Sequence, residues 1–434
     1  MTYEEALAWI HGRLKFGSRP GLTRINALLD RLDHPENSIR TVHVGGTNGK
    51  GSTVTFLRCL LEEQGLRVGT FTSPYIECFN ERMAINGRPI PDEDLIDLVA
   101  YIKPLVEEMD QDDALKHTTE FEIITAMSFC YFLAEEVDIA IIEVGLGGTY
   151  DCTNVITPLV SVITTIGMDH MDILGDTIEL IAEQKAGIIK PGVPVVTGNI
   201  QEEALRVIKD AAQKQNSSFY GMFQDYTAQY KHPASRWGEV FDFHNREYRL
   251  TNLETAMIGR HQTENAATAI ETYLLLSELL SYSVSRKDIA GGLRRALWPG
   301  RMERLSEEPL IVLDGAHNEP AVERLVDNLR SEFGDKDIYV IFGALLTKDV
   351  GHMLARLSRL PNVHLYLSAF DYPKARQAQD YEGMPYPVYD SWQQAAAAIL
   401  PELSQDDMLL VTGSLYFISQ VRHYLTGGEM IAVN

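Results

Sequence analysis

The segment 42–52, V-H-V-G-G-T-N-G-K-G-S, has the residue types to close around a polyphosphate. A short apolar strand, a glycine-dense turn with one lysine and a hydroxyl residue opening a helix would wrap backbone N–H groups around the anion. Gly46, Thr47, Asn48, Gly49, Lys50, Gly51 and Ser52 are therefore expected to bind ATP. The strict pattern G-x-x-x-x-G-K-[ST] is not met, because Val44 stands at its first glycine and Gly51 separates Lys50 from Ser52. An ordinary left-handed turn would explain the glycines but gives the lysine no structural task. A carboxylate falls where such a loop needs one: I-A-I-I-E ends an apolar strand at Glu143, and V-G-L-G-G follows. In a parallel sheet, ligands gather beyond the carboxyl ends of strands, and Mg2+ there needs oxygen ligands.

Other segments carry reactive groups with plainer readings. T-T-I-G-M-D-H-M-D-I-L-G, 164–175, puts Asp169, His170 and Asp172 on one loop after a strand. On residue type alone His170 is a hydrogen-bonded loop histidine, since imidazole is an unusual ligand for hard Mg2+. Lys185, in E-Q-K-A-G-I-I-K-P-G, reads as a surface lysine, and Asn265 as a polar residue in the first turn of a helix. Arg301, in G-R-M-E, reads as a solvated linker arginine. D-G-A-H-N, 314–318, and G-S-L-Y-F-I-S-Q-V-R, 413–422, each follow an apolar strand.

The elements that must position these groups alternate apolar β-branched runs with helices, the pattern of a mainly parallel sheet flanked by helices. Strands are expected at 41–44, 67–71, 139–144, 160–164 and 193–197, with helices at 52–64, 92–109, 122–135 and 178–189. Aromatic and alternating residues over 219–253 point to a small antiparallel appendage, followed by a helix at 262–280. At 434 residues the chain exceeds the roughly 250–300 that one core supports. L-W-P-G, 297–300, breaks the pattern, and a fresh alternation follows, with strands at 310–313, 339–343, 364–368 and 408–412. We expect an ATP-binding domain over 1–297 and a smaller Rossmann-like α/β domain over 298–434.

Composition narrows the partners. With 38 Lys and Arg against 61 Asp and Glu, the net charge of −23 argues against nucleic acid or an anionic membrane. Cys59, Cys78, Cys130 and Cys152 have neither C-x-x-C spacing nor a disulfide-dense pattern. The start, M-T-Y-E-E-A-L-A-W-I, reads as an amphipathic helix rather than a basic, apolar leader. No run approaches the ~18 apolar residues of a membrane span. A cytoplasmic monomer is expected.

Taken in order, G-T-N-G-K-G-S, T-S-P-Y (72–75), N-E-R (80–82), E-V-G-L-G-G and D-H-M resemble the motifs of the folylpolyglutamate synthase/dihydrofolate synthase family of the Mur ligase superfamily. The resemblance spans roughly residues 1–425 and implies a P-loop central domain with a Rossmann-like ligase domain. It puts Ser73, Glu143 and His170 at metal-ligand positions and makes Lys185 a carbamate supporting the second of two Mg2+ ions. By the same likeness Asn265 reads the adenine edge, Arg301 contacts phosphate, and Asp314 and His317 approach the ribose and the reacting groups. Tyr75 and Arg82 fall where the pterin-bearing substrate sits, and Ser414 and Tyr416 where folate and glutamate are contacted. Lys50, Lys185, His317 and Arg301 are the implied catalytic residues. The implied reaction is ATP-dependent addition of L-glutamate to a reduced folate, and more weakly to dihydropteroate, through an acyl phosphate. Alternatives are another ligase of the superfamily, or a P-loop kinase or nucleotide-binding module; with the P-loop beginning by residue 45, no uridine-binding domain is expected before it. One departure stands out: where the family commonly has G-L-G-G-R-x-D-A-T-N, this chain has G-L-G-G-T-Y-D-C-T-N, so Thr149 replaces an arginine and Cys152 a smaller residue.

Overall fold

The computed structural model describes residues 1–14, 21–235 and 237–427. The chain divides into two compact units. The first comprises Met1–His232, Val240–Thr255 and Gln262–Ala296; the second comprises Pro233–Glu239, Ala256–His261 and Leu297–Asn434. The main switch lies at Ala296 and Leu297, next to the proline–glycine break. Two short upstream stretches, which a single cut would leave in the first unit, group with the second.

The first unit is built on strands β1 (Thr41–Gly45), β2 (Val68–Phe71), β3 (Met83–Ile85), β4 (Arg88–Pro89), β5 (Ile139–Glu143), β6 (Val160–Ile163), β7 (Val195–Thr197) and β8 (Phe219–Gly221). They form one sheet in the order β4-β3-β2-β5-β1-β6-β7-β8, parallel except for the antiparallel β2–β3 and β3–β4 pairs. Strand β1 lies between β5 and β6, with Val44 beside both Glu143 and Val162. The P-loop, Glu143 and the Thr164–Thr165 pair therefore leave the sheet side by side at one edge. These strands read as unbroken apolar runs because both faces are covered. One face packs under Ile10, Leu28, Val99, Ile102, Phe129 and Phe132, the other under Ile181, Ile188 and Ile208. Each such side chain contributes about 2 kcal/mol of burial.

Caps set where helices start. The helix Glu120–Ala134 begins two residues before its expected start because Thr119 and Glu122 form a reciprocal capping box: Thr119 Oγ1 accepts from Glu122 N at 3.2 Å, and Glu122 Oε2 accepts from Thr119 N at 2.8 Å. Residues 219–221, expected in the appendage, instead extend the main sheet parallel to β7. The appendage is the three-stranded sheet of β9 (Thr227–Pro233), β10 (Glu239–His244) and β11 (Arg249–Glu254), in the order β11-β10-β9.

The second unit's sheet comprises β12 (Glu303–Glu307), β13 (Leu310–Leu313), β14 (Ile338–Phe342), β15 (Val363–Ser368), β16 (Val388–Tyr389) and β17 (Met408–Thr412). Its order is β12-β13-β17-β14-β15-β16, parallel apart from β12. Among the described residues no helix is long and apolar enough to cross a membrane.

Candidate active site

The helix Lys50–Glu62 follows β1 with Gly49 at its N-cap and no side chain capping it. Its first-turn N–H groups thus lack protein partners of the usual kind and suit an anion. Gly49 holds φ +86°, and a Cβ there would lie 2.5 Å from Asn265 Oδ1, so glycine is required where the loop meets Asn265. Asn265 is buried and held by Gln262 Oε1 at 3.0 Å. The loop's earlier amides face inward: Thr47 N donates to Thr165 O at 2.7 Å and Asn48 N to Thr165 Oγ1 at 3.0 Å. Thr164 Oγ1 returns a bond to Asn48 O at 2.7 Å. Anion binding by main-chain donors therefore falls to the stretch from Gly49 onward, while Thr47 and Asn48 brace the loop.

Two amines converge on one carbonyl. Lys50 Nζ lies 3.2 Å and Lys185 Nζ 3.0 Å from Gly46 O. Lys185, a surface residue by type, is only 5% exposed, and burial followed by the Lys50 charge pushes its amine down to about 7. Glu143, 4% exposed, places Oε1 3.8 Å from Lys50 Nζ and accepts Ser73 N on Oε2 at 3.4 Å. Asp169 and His170 line the same small cavity as Gly46, Thr47, Lys50 and Lys185.

The donor set fits a hard divalent cation in part. Among the described residues no three His, Cys, Asp or Glu side chains converge tightly enough to hold a metal ion. Mg2+ is typically held by one or two carboxylates, with substrate phosphates and water completing its shell. A buried carboxylate near the Lys50 amine, Ser73 beside it and the half-exposed His170 on the cavity wall are donors of that kind.

The 73–82 loop owes its shape to its own motif. Glu81 accepts the backbone N–H groups of Ile76, Glu77 and Cys78 at 2.7, 2.9 and 3.0 Å. Asn80 Nδ2 donates to Ile90 O and Asp92 Oδ1 at 2.7 and 2.8 Å. Arg82 stacks on Tyr75 and Phe79, its guanidinium 5.0 and 5.6 Å from the ring centres. Such a face suits a flat heteroaromatic group.

On the second unit, Asp314 is buried at the end of β13 and caps the turn, accepting Met302 N at 3.0 Å and Ala316 N at 2.9 Å. Burial raises its carboxyl's proton affinity, and Arg301 acts against that. His317 Nδ1 bonds Gly315 O at 2.8 Å, which requires the proton on Nδ1 and makes Nε2 the basic nitrogen. Ser414 is buried, while the half-exposed Tyr416 stacks on Tyr372 at 4.2 Å. The expected site residues thus form one cluster on each unit.

Sequence reading gave no role to Thr164, Thr165, Glu303 or Arg422. Arg422 Nε lies 2.9 Å from Glu303 Oε1, and Glu303 Oε2 accepts Gly300 N at 2.8 Å, so this pair anchors the turn that carries Arg301. The only available signal was their membership of the G-R-M-E and S-Q-V-R motifs.

Known proteins match the chain over nearly its whole length. Residues 44–273 match the Mur ligase middle domain and 300–415 the Mur ligase, glutamate ligase domain. The chain is 45% identical to the dihydrofolate synthase/folylpolyglutamate synthase of Bacillus subtilis (strain 168), covering 98% of this chain and 99% of that one. It is 39% identical to the folylpolyglutamate synthase of Lacticaseibacillus casei, covering 99% and 100%. A solved FPGS–AMPPCP–folate complex superposes with a TM-score of 0.87 at 38% identity, covering 98% and 100%.

Proposed function

Because the chain belongs to the dihydrofolate synthase/folylpolyglutamate synthase family of Mur ligases, we propose that it is an ATP-dependent ligase adding L-glutamate to reduced folates, with dihydropteroate a poorer acceptor. The observation that carries this reading is the convergence of Lys50 and Lys185 on Gly46 O beside the buried Glu143. A substrate carboxylate attacks the γ-phosphorus of ATP, and the bond to the bridging oxygen breaks to give an acyl phosphate and ADP. The neutral amine of glutamate then attacks the acyl carbon, phosphate leaves, and a proton is lost. Phosphoryl transfer of this kind is mostly positioning and charge neutralisation.

In this reading the first-turn N–H groups and Lys50 hold the phosphates, Asn265 reads the base, and Arg301 supplies a further guanidinium for phosphate. Tyr75 and Arg82 present an aromatic–cation face to the pterin. Ser414 and Tyr416 serve folate and glutamate, Asp314 shapes the turn before His317, and His317 Nε2 takes the amine's proton. Ser73, Glu143 and His170 would hold Mg2+, two ions in all, with a carbamate on Lys185 supporting the second; the metal would neutralise phosphate charge. The protein acts as a cytoplasmic monomer with no nucleic-acid or membrane partner.

Coupled assays with ATP, glutamate and either tetrahydrofolate or dihydropteroate test the activity. Phosphate release will require acceptor and glutamate together, and tetrahydrofolate will be the faster acceptor. Release without either, or phosphate passed to an acceptor as a stable product, would identify a nucleotide hydrolase or kinase instead. Glu143→Ala and His170→Ala will each raise the Mg2+ concentration for half-maximal activity about 10-fold or more. Magnesium titrations overlaying wild type would remove those residues from the metal site.

A further inference from the structure

The turn after β5 docks on the end of the helix Ile178–Ala186, which carries Lys185. Last-turn carbonyls of a helix lack intrahelical partners. Here the carbonyl of Gln184 accepts Thr149 N at 2.8 Å, Thr149 Oγ1 at 3.1 Å and Gly187 N at 3.3 Å. Asn154 Nδ2 closes the contact by donating to Thr149 O at 3.2 Å and Gly187 O at 3.0 Å.

The two backbones touch. A Cβ on Gly148 would lie 2.4 Å from Gln184 O and 3.0 Å from Lys185 Cα, and one on Gly187 would lie 2.1 Å from Thr149 Oγ1 and 2.6 Å from Thr149 Cα. The turn is in turn tied to the strand that feeds the P-loop. Asp151 accepts Leu146 N at 2.8 Å and the hydroxyl of Thr153, which accepts from Nε2 of the fully buried His43 at 2.9 Å. The lysine's Cα and the loop bearing Gly46 are thereby held in one frame.

We infer that Thr149 is a positioning residue for Lys185: through the Gln184 carbonyl it fixes the helix end that aims the lysine amine at Gly46 O. This rests on the role given to Lys185 above. A lysine amine sits at the end of a four-carbon stem, and a displacement of about 1 Å at such a site can cost on the order of 100-fold in rate. Loss of one of three donors to a carbonyl shifts the helix end by less, so the expected effect is smaller. The contact needs only a donor reaching one backbone oxygen, which the Thr149 hydroxyl supplies.

The test uses Thr149→Val, which keeps the branched shape without the hydroxyl, Thr149→Ser, which keeps the donor, and Lys185→Ala. Thr149→Val will lower kcat about 5- to 10-fold with KM for ATP and folate within about twofold, and Thr149→Ser will keep at least about half of wild-type kcat. With 13C-bicarbonate and no ATP or folate, the carbamate carbon resonance, normalised to folded protein by circular dichroism, will weaken in Thr149→Val and recover in Thr149→Ser. The normalisation keeps the measurement valid if Thr149→Val folds less completely. The inference falls if Thr149→Val keeps wild-type kcat or carbamate signal while Lys185→Ala is inactive, or if the valine and serine variants lose function equally. Full activity in Lys185→Ala would instead overturn the role of Lys185 on which it rests.

Discussion

Replacing Lys50 with alanine will cut glutamate ligation about 1,000-fold at saturating ATP while changing folding stability by less than about 1 kcal/mol. The asymmetry follows from where the side chain points. Its amine lies 3.2 Å from Gly46 O and 3.8 Å from Glu143 Oε1, so the side chain is directed at polar groups of the loop and little folding energy is expected to depend on it. The lysine that shares Gly46 O with it is Lys185, whose charge burial already suppresses and which therefore replaces it poorly. A second effect accompanies the first. The Lys50 charge helps depress the proton affinity of Lys185, so in Lys50→Ala the buried amine will titrate above about 7. Steady-state kinetics with a thermal melt checks the first effect; undiminished turnover with saturating ATP would refute the P-loop assignment.

The parts of this site that could be read from sequence are those fixed by neighbours along the chain. The P-loop turn, Glu143 at the end of β5 and the loop after β6 follow from apolar runs ending in glycines, carboxylates and hydroxyls, because a parallel sheet delivers strand ends to one edge. Lys185 could not be recognised by residue type. Its backbone is packed against Gly148 and Thr149, which sit far before it in the chain, and neither Gly148 nor Gly187 admits a Cβ at the contact. The same holds for Arg422 and Glu303, whose ion pair closes a separation of 119 residues. The edge strand at Phe219–Gly221 was misplaced because its aromatic, half-exposed pattern looks alike in a hairpin and at the rim of a parallel sheet. In each case the missing information was a long-range contact, and for Lys185 alone the family likeness pointed to what periodicity could not.

Lys185→Ala will lose about 100-fold or more in kcat, and acetate will restore part of that loss by occupying the vacated space with a carboxylate. The argument starts from the amine's surroundings. At about 7, set first by burial and then by Lys50, a large fraction of the amine is neutral near pH 7, and only the neutral lone pair can attack the carbon of CO2. The new N–C bond forms as a proton leaves nitrogen, turning a penalised cation into an anion beside the Lys50 ammonium. The same shift has a stability signature whose sign is fixed. Between about 7 and the ordinary value near 10.4, the unfolded chain holds a proton on this lysine that the folded chain does not, so stability rises with pH across that window. Below about pH 7 the burial penalty is paid in full. In CO2-free buffer, urea midpoints measured at pH 6.5 and pH 9 will therefore differ less in Lys185→Met than in wild type, and the variant will be the more stable protein at the lower pH. Equal pH slopes would mean that the amine is not buried as described. Wild-type turnover in Lys185→Ala would separate that burial from catalysis, leaving the phosphate chemistry to the other groups proposed for it.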